Sequence, residues 1–165
     1  MPWPTLSGGG WTWYSGEDRS EGGKSGNYRP PARGKFYSAI QEFHGFFYFP
    51  GVTGTPSYTN KHQFYVDVTL HPFNNKDLTF FARYLQFFFD TTPIEGRDSH
   101  IGSELDVVLS YDYTEDLTFK LINAYFFPGS YYDGTAAVFT NQFGESVSNA
   151  DETAMELVAE VSLAF

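Results

Sequence analysis

The chain has 165 residues, a formal net charge of −10 and no cysteine. The acidic charge disfavours nucleic acid and anionic lipid headgroups as partners, because binding them requires Lys and Arg. The absence of cysteine excludes disulfides, thiolate metal sites and thiol nucleophiles. Aromatic residues make up 20% of the chain, although the mean hydropathy is only −0.34. This combination is typical of strands with one apolar and one polar face, and no run of about 18 apolar residues could form a transmembrane helix.

Residues 1–61 are predicted to hold a strand end followed by a long external loop region. Residues 11–14 (WTWY) could be the outer end of a strand whose aromatic side chains lie at a membrane interface. Residues 16–34 are polar and rich in Gly and Pro, which is typical of a loop or a disordered stretch. Residues 36–49 alternate poorly, and residues 39–43 could begin a short helix. We place this whole stretch in the same external loop.

Residues 62–165 are predicted to form antiparallel barrel strands that end in a C-terminal aromatic residue. The predicted strands alternate apolar and polar residues with a period of two and cover residues 62–71, 78–88, 100–113, 117–127 and 154–165. In the third of them, Ile101, Leu105 and Val107 are expected to face lipid, and in the fourth Asn123 interrupts the apolar face. The expected fold class is all-β: an antiparallel up-and-down transmembrane β-barrel, with about six strands visible as part of a larger barrel.

The opposite faces of these strands carry the charged residues and are predicted to line a pore. The predicted pore-lining residues are Asp67, Arg83, Glu104, Asp106, Asp112, Lys120, Glu156 and Glu160. Three of the acids, Glu104, Asp106 and Asp112, share one strand face and could form a cation-selectivity ladder. Alternatively, they form a solvated wall that pairs with Lys120 and Arg83 across strands.

The connections between predicted strands alternate between short and long. Residues 72–77 and 114–116 are short turns, whereas residues 90–98 and 128–153 are longer polar links. Outer-membrane barrels have short periplasmic turns and longer external loops. The alternation therefore predicts a bacterial outer-membrane location with the C-terminus, at Phe165, in the periplasm.

Three segments resemble the C-terminal part of the alginate-export-like family of outer-membrane porins. They are KHQFYVDVTLHPFNNKDLTFFARYLQFF (61–88), IGSELDVVLSYDYTEDLTFKLINAYFFPGSYYDG (101–134) and AMELVAEVSLAF (154–165). WTWYSGED (11–18) and KFYSAIQEFHGFFYF (35–49) are similar to that family's strand end and long external loop. The resemblance covers residues 11–165 in family order. The terminal Phe165 resembles the assembly signal that is general to outer-membrane barrels.

The resemblance implies a transmembrane channel with more strands than this chain contains, because a small closed barrel needs about eight. Either the N-terminal part of the barrel is missing from this chain, or other chains complete it. The expected partners are the lipid bilayer, the barrel-assembly machinery and, in the second case, those other chains. One feature departs from the family's polyanion-export channels, which have a basic lumen. The predicted pore-lining set contains six acids and two bases, so we carry over the fold and the channel role, not alginate.

No catalytic residue, metal site or cofactor is predicted, and the chain is expected not to be an enzyme. The four histidines, His44, His62, His71 and His100, do not have the spacing of a metal-ligand motif. There is no GxSxG motif, and Ser103 is expected to face lipid. Residues 22–25 (GGKS) lack the strand, helix and first glycine of a P-loop.

The predicted function is a passive outer-membrane channel for small hydrophilic solutes, with an acidic lumen wall. The first alternative is a non-catalytic barrel subunit or scaffold whose external loops bind a partner protein or surface polymer. The second is a soluble β-sandwich lectin, which would pack two sheets together. Five aromatic residues near an external loop are interpreted as an interfacial girdle or as a sugar-stacking site: Tyr125, Phe126, Phe127, Tyr131 and Tyr132.

Overall fold

A computed structural model of the protein describes residues 5–16, 38–40, 60–92, 95–133, 138–140, 146–148 and 152–164. Within these residues the regular structure is β-strand, apart from two one-turn 3-10 helices at Pro72–Asn74 and Ser130–Tyr132. In the same residues, no helix has the length and apolar character needed to cross a membrane.

The described residues contain eight strands, and the six long ones form one antiparallel up-and-down meander. In chain order the eight strands are β1 (Thr5–Tyr14), β2 (Lys61–Leu70), β3 (Leu78–Phe89), β4 (His100–Asp112), β5 (Leu117–Pro128), β6 (Val138–Thr140), β7 (Ser146–Ser148) and β8 (Ala154–Leu163). The large sheet has the order β1-β2-β3-β4-β5-β8, and β6 pairs with β7 in a separate ribbon. The sheet is not closed into a barrel: within the described residues, β1 and β8 are its edges.

The five full strands predicted from alternation are confirmed, each within two residues at either end. The strand predicted at residues 11–14 is longer, because Thr5–Tyr14 pairs with β2 over its whole length. Its first half contains Gly8, Gly9 and Gly10, so alternation is not visible there. The link predicted over residues 128–153 contains a 3-10 turn and the β6–β7 ribbon. Of residues 36–49, only 38–40 are described, and they form a turn.

The sheet has a turn end and a loop end. At the turn end, Pro72–Asn74 joins β2 to β3, and Leu117 exchanges backbone hydrogen bonds with Thr114 between β4 and β5. All three long connections leave from the loop end, because in a meander every second connection lies at the same end of the strands. The predicted alternation of short and long connections is therefore confirmed.

Cross-strand register assigns every strand residue to one of two faces, since directly opposed residues point the same way. We call the face that carries Asp67, Arg83 and Asp106 the polar face, and the face that carries Val66, Tyr84 and Leu105 the apolar face. Both sets are direct neighbours along one row across β2, β3 and β4. These rows reproduce the two predicted strand faces.

Ile101 is the exception, and its predicted position on the apolar face is wrong. The β3–β4 register shifts between Phe87 and Phe88, whose partners are Gly102 and His100, so Ile101 is skipped. The bulge turns Ile101 into a buried cluster. Gly102 adopts a φ of 153°, and a Cβ there would lie 2.5 Å from the Phe127 carbonyl oxygen. A glycine is required for β4 and β5 to approach this closely.

The buried core of the described residues lies at the loop end, on the polar face. It contains Leu85, Phe87, Phe89, Ile101 and Tyr131, with Tyr65, Phe126 and Tyr132 packed against it. The ring of Phe89 lies 4.6 Å from that of Tyr131, measured between centroids. Tyr131 belongs to the 3-10 turn that follows β5. The polar face is therefore covered at its loop end by chain from its own connections.

Candidate functional site

A row of charged side chains crosses the middle of the polar face. Direct cross-strand pairing aligns Asp67, Arg83, Asp106, Ala124 and Glu156 from β2 to β8. Four of the eight predicted pore-lining residues are thus neighbours in one line. Alternation within each strand predicts that these residues share one face of the sheet. Only the register between the strands shows that they lie directly opposite one another.

Arg83 is held rigidly at the centre of this row. Its Nη2 and Nε atoms donate hydrogen bonds to Asp67 Oδ2, at 2.7 and 3.2 Å. The guanidinium also lies over the rings of Tyr65 and Phe81, 4.8 and 5.0 Å from their centroids. Contacts with a carboxylate and two aromatic rings restrict this planar side chain to one rotamer. Arg83 therefore acts as a fixed positive charge in an acidic wall.

Glu104 and Asp106 are buried, so the expectation of a solvated wall does not hold for them. Glu104 is fully buried and Asp106 is 5% exposed. Glu104 Oε1 accepts a hydrogen bond from the backbone N–H of Ile40 at 2.7 Å, and Asp106 Oδ2 accepts one from the N–H of Ala39 at 3.2 Å. The sequence predicted neither contact, because nothing in a strand pattern reveals which distant segment will cover it.

The turn end of the polar face is open and carries the other charged residues. Lys120 Nζ lies 3.2 Å from Glu160 Oε1 across β5 and β8. Asp112 accepts a hydrogen bond from the Thr118 hydroxyl at 2.8 Å. Lys120 pairs with Glu160 rather than with an acid of β4, because Glu160 is its direct partner in the register. These groups are the accessible charged side chains at the turn end of the polar face.

The apolar face contains no Asp, Glu, Lys or Arg in the six described long strands. Many of its large side chains are exposed, and those that are at least two-fifths exposed include Phe64, Val66, Tyr84, Leu109, Tyr111, Phe119, Leu121, Phe127, Met155, Leu157, Val161 and Leu163. Monomeric soluble proteins rarely expose a contiguous apolar surface of this kind. Such a surface is typical of a site that contacts another protein or a membrane.

Aromatic side chains border this face near both ends. Toward the loop end lie Trp11, Phe64 and Phe127, and toward the turn end lie Tyr111 and Phe119. Aliphatic residues dominate the rows between them. Phe119 and Phe127 are eight residues apart on β5, or about 27 Å along an extended strand. A tilt of about 40° reduces this to about 20 Å, comparable with the apolar band of about 25 Å on membrane barrels.

Asn123, which interrupts the apolar face, is satisfied within the sheet. Its Nδ2 atom donates a hydrogen bond to the backbone carbonyl of Glu156 on β8, at 3.3 Å. A polar group that finds an internal partner is tolerated in an apolar environment, whereas an unpaired one is costly. Asn123 therefore does not conflict with an apolar surrounding.

A Trp–His–Asp chain joins three strand ends at the loop end. Trp11 Nε1 donates to His62 Nδ1 at 3.3 Å, and His62 Nε2 lies 2.9 Å from Asp90 Oδ1. Asp90 Oδ2 also accepts the backbone N–H of Gly16 at 2.8 Å. These hydrogen bonds connect β1 and β2 to the segment after β3.

The five aromatic residues predicted to form one cluster are divided between the faces. Tyr125 and Phe127 stack on the apolar face with centroids 6.5 Å apart. Phe126 lies on the opposite face, 6.4 Å from Phe87, and Tyr131 is buried in the core. Tyr125 and Phe127 lie toward the loop end of the apolar face. Tyr131 is not available for sugar stacking, because its ring is buried.

Two loop residues near the core have shifted pKa values. Burial raises the pKa of Tyr132 to about 12, with a smaller contribution from Tyr131. The backbone N–H of His100 lowers the pKa of Asp98 by hydrogen bonding to its carboxylate, with a further hydrogen bond from the Ser130 side chain. Both groups fasten the loop-end connections to the sheet.

The remaining predicted features have separate outcomes. No group of three or more metal-binding side chains occurs in the described parts of the chain. Ser103 pairs with Gln86 and Phe127 on the apolar face, as expected. Phe165, the predicted assembly signal, and the GGKS segment at residues 22–25 lie outside the described residues. The sandwich lectin would need a second packed sheet, but the described residues add only the three-residue β6–β7 ribbon.

Comparisons with protein-family models, curated proteins and solved structures find no match for this chain.

Proposed function

We propose that this chain forms part of the wall of a bacterial outer-membrane channel for small hydrophilic solutes. One observation carries the proposal. In the six described long strands, charged side chains are confined to one face, while the other face is apolar, exposed and bordered by aromatic residues. A soluble sheet needs only one apolar face toward its core, and that face is then buried. Here the uncharged face is the uncovered one, which suits lipid.

The open sheet is consistent with a wall that other strands complete. The outer edges of β1 and β8 carry backbone groups that no strand in the described residues pairs with. In hydrocarbon, each unpaired group costs several kcal/mol. The proposed channel therefore includes further strands next to both edges, from the same protein or from other chains.

The lumen chemistry favours cations or neutral solutes over polyanions. In the open half of the polar face, Asp112 and Glu160 outnumber Lys120, and Arg83 is neutralised by Asp67. Fixed carboxylates raise the local concentration of cations and repel anions. The channel needs no catalytic group for this function.

Reconstitution of the assembled protein in planar bilayers tests the proposal. We expect ion conductance. Under a salt gradient, the reversal potential should be displaced from zero toward the value of a cation-selective channel. Removing two charges in the double variant Asp112→Asn/Glu160→Gln should reduce that displacement without changing the fold, because both side chains are exposed. Absence of conductance from the fully assembled barrel would reject the channel function.

A scaffold role is the second candidate, and one observation favours it. The loop-end half of the polar face is covered by the protein itself, including the buried residues Leu85, Phe87 and Glu104. A barrel wall that only supports external loops does not need a solute pathway along the loop-end half of its polar face. A stable, non-conducting barrel that retains a partner through its loops would support this second candidate over the first.

A further inference from the structure

We propose that Glu104 and Asp106 do not select solutes but anchor residues 38–40 as a strap across the channel wall. The inference rests on the proposed channel function, and it divides the predicted pore-lining acids into two groups with different tasks. We call Glu104 and Asp106 the anchor acids, and Asp112 and Glu160 the open acids.

The geometry of the anchor is specific. Two acids that are two residues apart on β4 accept hydrogen bonds from two consecutive backbone N–H groups, those of Ala39 and Ile40. Residues that alternate on a strand lie about 7 Å apart on one face, and consecutive amides of a turn can span that gap through carboxylate side chains of different length. The longer Glu104 makes the shorter bond, at 2.7 Å.

Burial shows that the strap lies close against the wall. Ser38 is 3% exposed, Glu104 is fully buried and Asp106 is 5% exposed. Water is therefore excluded from both carboxylates, and neither can serve as a freely hydrated site for passing ions. By contrast, Asp112 is exposed, and so is Glu160.

Stability alone does not explain Asp106. Its Oδ1 atom is buried, and no hydrogen-bond partner for it is found in the described residues. A buried polar oxygen without a hydrogen-bond partner destabilises a fold. Packing alone therefore does not explain why an acid occupies this position. Holding the strap does explain it, because Oδ2 accepts the hydrogen bond from the Ala39 N–H.

The strap has a consequence for solute passage. Ala39 and Ile40 meet the polar face at the level of the central charged row, between the core at the loop end and the open acids at the turn end. A segment held there narrows the pathway on this side of the lumen. Release of the strap should widen the pathway without altering the charges of the open half.

The test uses the assembled protein with the near-isosteric double variant Glu104→Met/Asp106→Leu, which keeps side-chain volume and removes both acceptors. The matched control is Asp112→Asn/Glu160→Gln, which removes the same number of charges from the open half. Each is combined with Ser38→Cys, the only thiol in a chain without cysteine. A bulky, water-soluble maleimide is added, and single-channel conductance is recorded in planar bilayers.

We expect Ser38→Cys to be protected from the maleimide in the parent and in the control, and to react at the rate of an unprotected thiol in the anchor variant. Conductance should rise in the anchor variant but not in the control, which should lose cation selectivity. Equal protection of Ser38→Cys in anchor variant and control would overturn the anchor. Exposure of the thiol without any rise in conductance would overturn the constriction. If no variant conducts but protection still depends on the anchor acids, the strap stands and the channel function fails.

The folding of the anchor variant is compared with that of the parent by circular dichroism and by heat-dependent migration on gels. Native β-structure together with a reactive thiol assigns the effect to the strap. A variant that loses its β-structure is replaced by Glu104→Gln/Asp106→Asn, in which weaker neutral acceptors remain. For that variant we expect partial exposure of the thiol, and full protection equal to the parent would overturn the anchor.

Discussion

At the residue scale, Gly102 illustrates how one backbone position controls two strands. Its φ of 153° and the distance of 2.5 Å from its virtual Cβ to the Phe127 carbonyl oxygen leave no room for a side chain. The same bulge moves Ile101 from the apolar face into the core. The identity of Gly102 is visible in the sequence, but its role depends on the distance between β4 and β5, which no single-strand pattern contains.

We predict that Gly102→Ala lowers the free energy of unfolding by about 1–3 kcal/mol, as expected for a strained backbone position. The matched control is Gly96→Ala. Gly96 also has positive φ, 79°, but no atom lies within 4 Å of its virtual Cβ. Urea titration of the membrane-inserted protein measures both. A loss for Gly102→Ala no larger than that for Gly96→Ala would contradict the close approach of β4 and β5.

The pKa of Tyr132 gives a prediction at alkaline pH. The phenol is neutral below pH 10 in both the folded and unfolded chain, so it makes stability depend on pH only above that value. Between pH 10 and about 12 the unfolded phenol ionises while the folded one stays neutral. Stability should therefore fall over this window, by about 1–2 kcal/mol. Tyr132→Phe should remove that part of the loss, and an identical pH profile for this variant would refute the assignment.

At the element scale, β8 shows how much a strand pattern can predict. Its alternation predicts both faces, and the register with β5 confirms them, with Glu156 and Glu160 on the polar face. Adjacent residues such as Leu157 and Val158 therefore meet different surroundings. The pairing of Lys120 with Glu160 was not predicted, because the register between two strands depends on the long connection that joins them.

Leu157 and Val158 provide a matched test of the lipid-facing surface. Leu157 lies on the apolar face and is 64% exposed, while Val158 lies between two acids on the polar face. In a bilayer, Leu157→Arg should lower the free energy of unfolding by about 2–4 kcal/mol, as charges do near the midplane of membrane barrels. Val158→Arg should lower it much less. Urea unfolding from lipid vesicles measures both, and equal costs would place Leu157 in water rather than in lipid.

At the scale of the whole molecule, the open sheet is the central feature. A meander of six strands with one uncovered apolar face cannot remain in hydrocarbon with two unpaired edges. In the proposed channel, the remaining wall would therefore attach at the edges of β1 and β8. Closure would also create the lumen in which the open acids and the strap at residues 38–40 would act.

Hydrogen exchange on β8 tests this closure. About half of the amides of an edge strand point away from its partner. In the assembled membrane protein we expect these amides of β8 to be as protected as those bonded to β5. Rapid exchange confined to the outward amides would mean that the edge is free, and the barrel wall would then be rejected. The amides of central strand β4 provide the internal control.

By itself, the sequence determined the five strands that alternate along their whole length, their bounds to within two residues and, apart from Ile101, which of their residues share a face, because alternation is a local property of each strand. It also indicated the alternation of short and long connections. Only the tertiary structure decided that Glu104 and Asp106 are buried beneath Ala39 and Ile40, that Ile101 enters the core, and that Asp67 holds Arg83. Each of these depends on register, on a bulge or on a contact between residues far apart in the chain, and such long-range geometry leaves no periodic trace in the sequence.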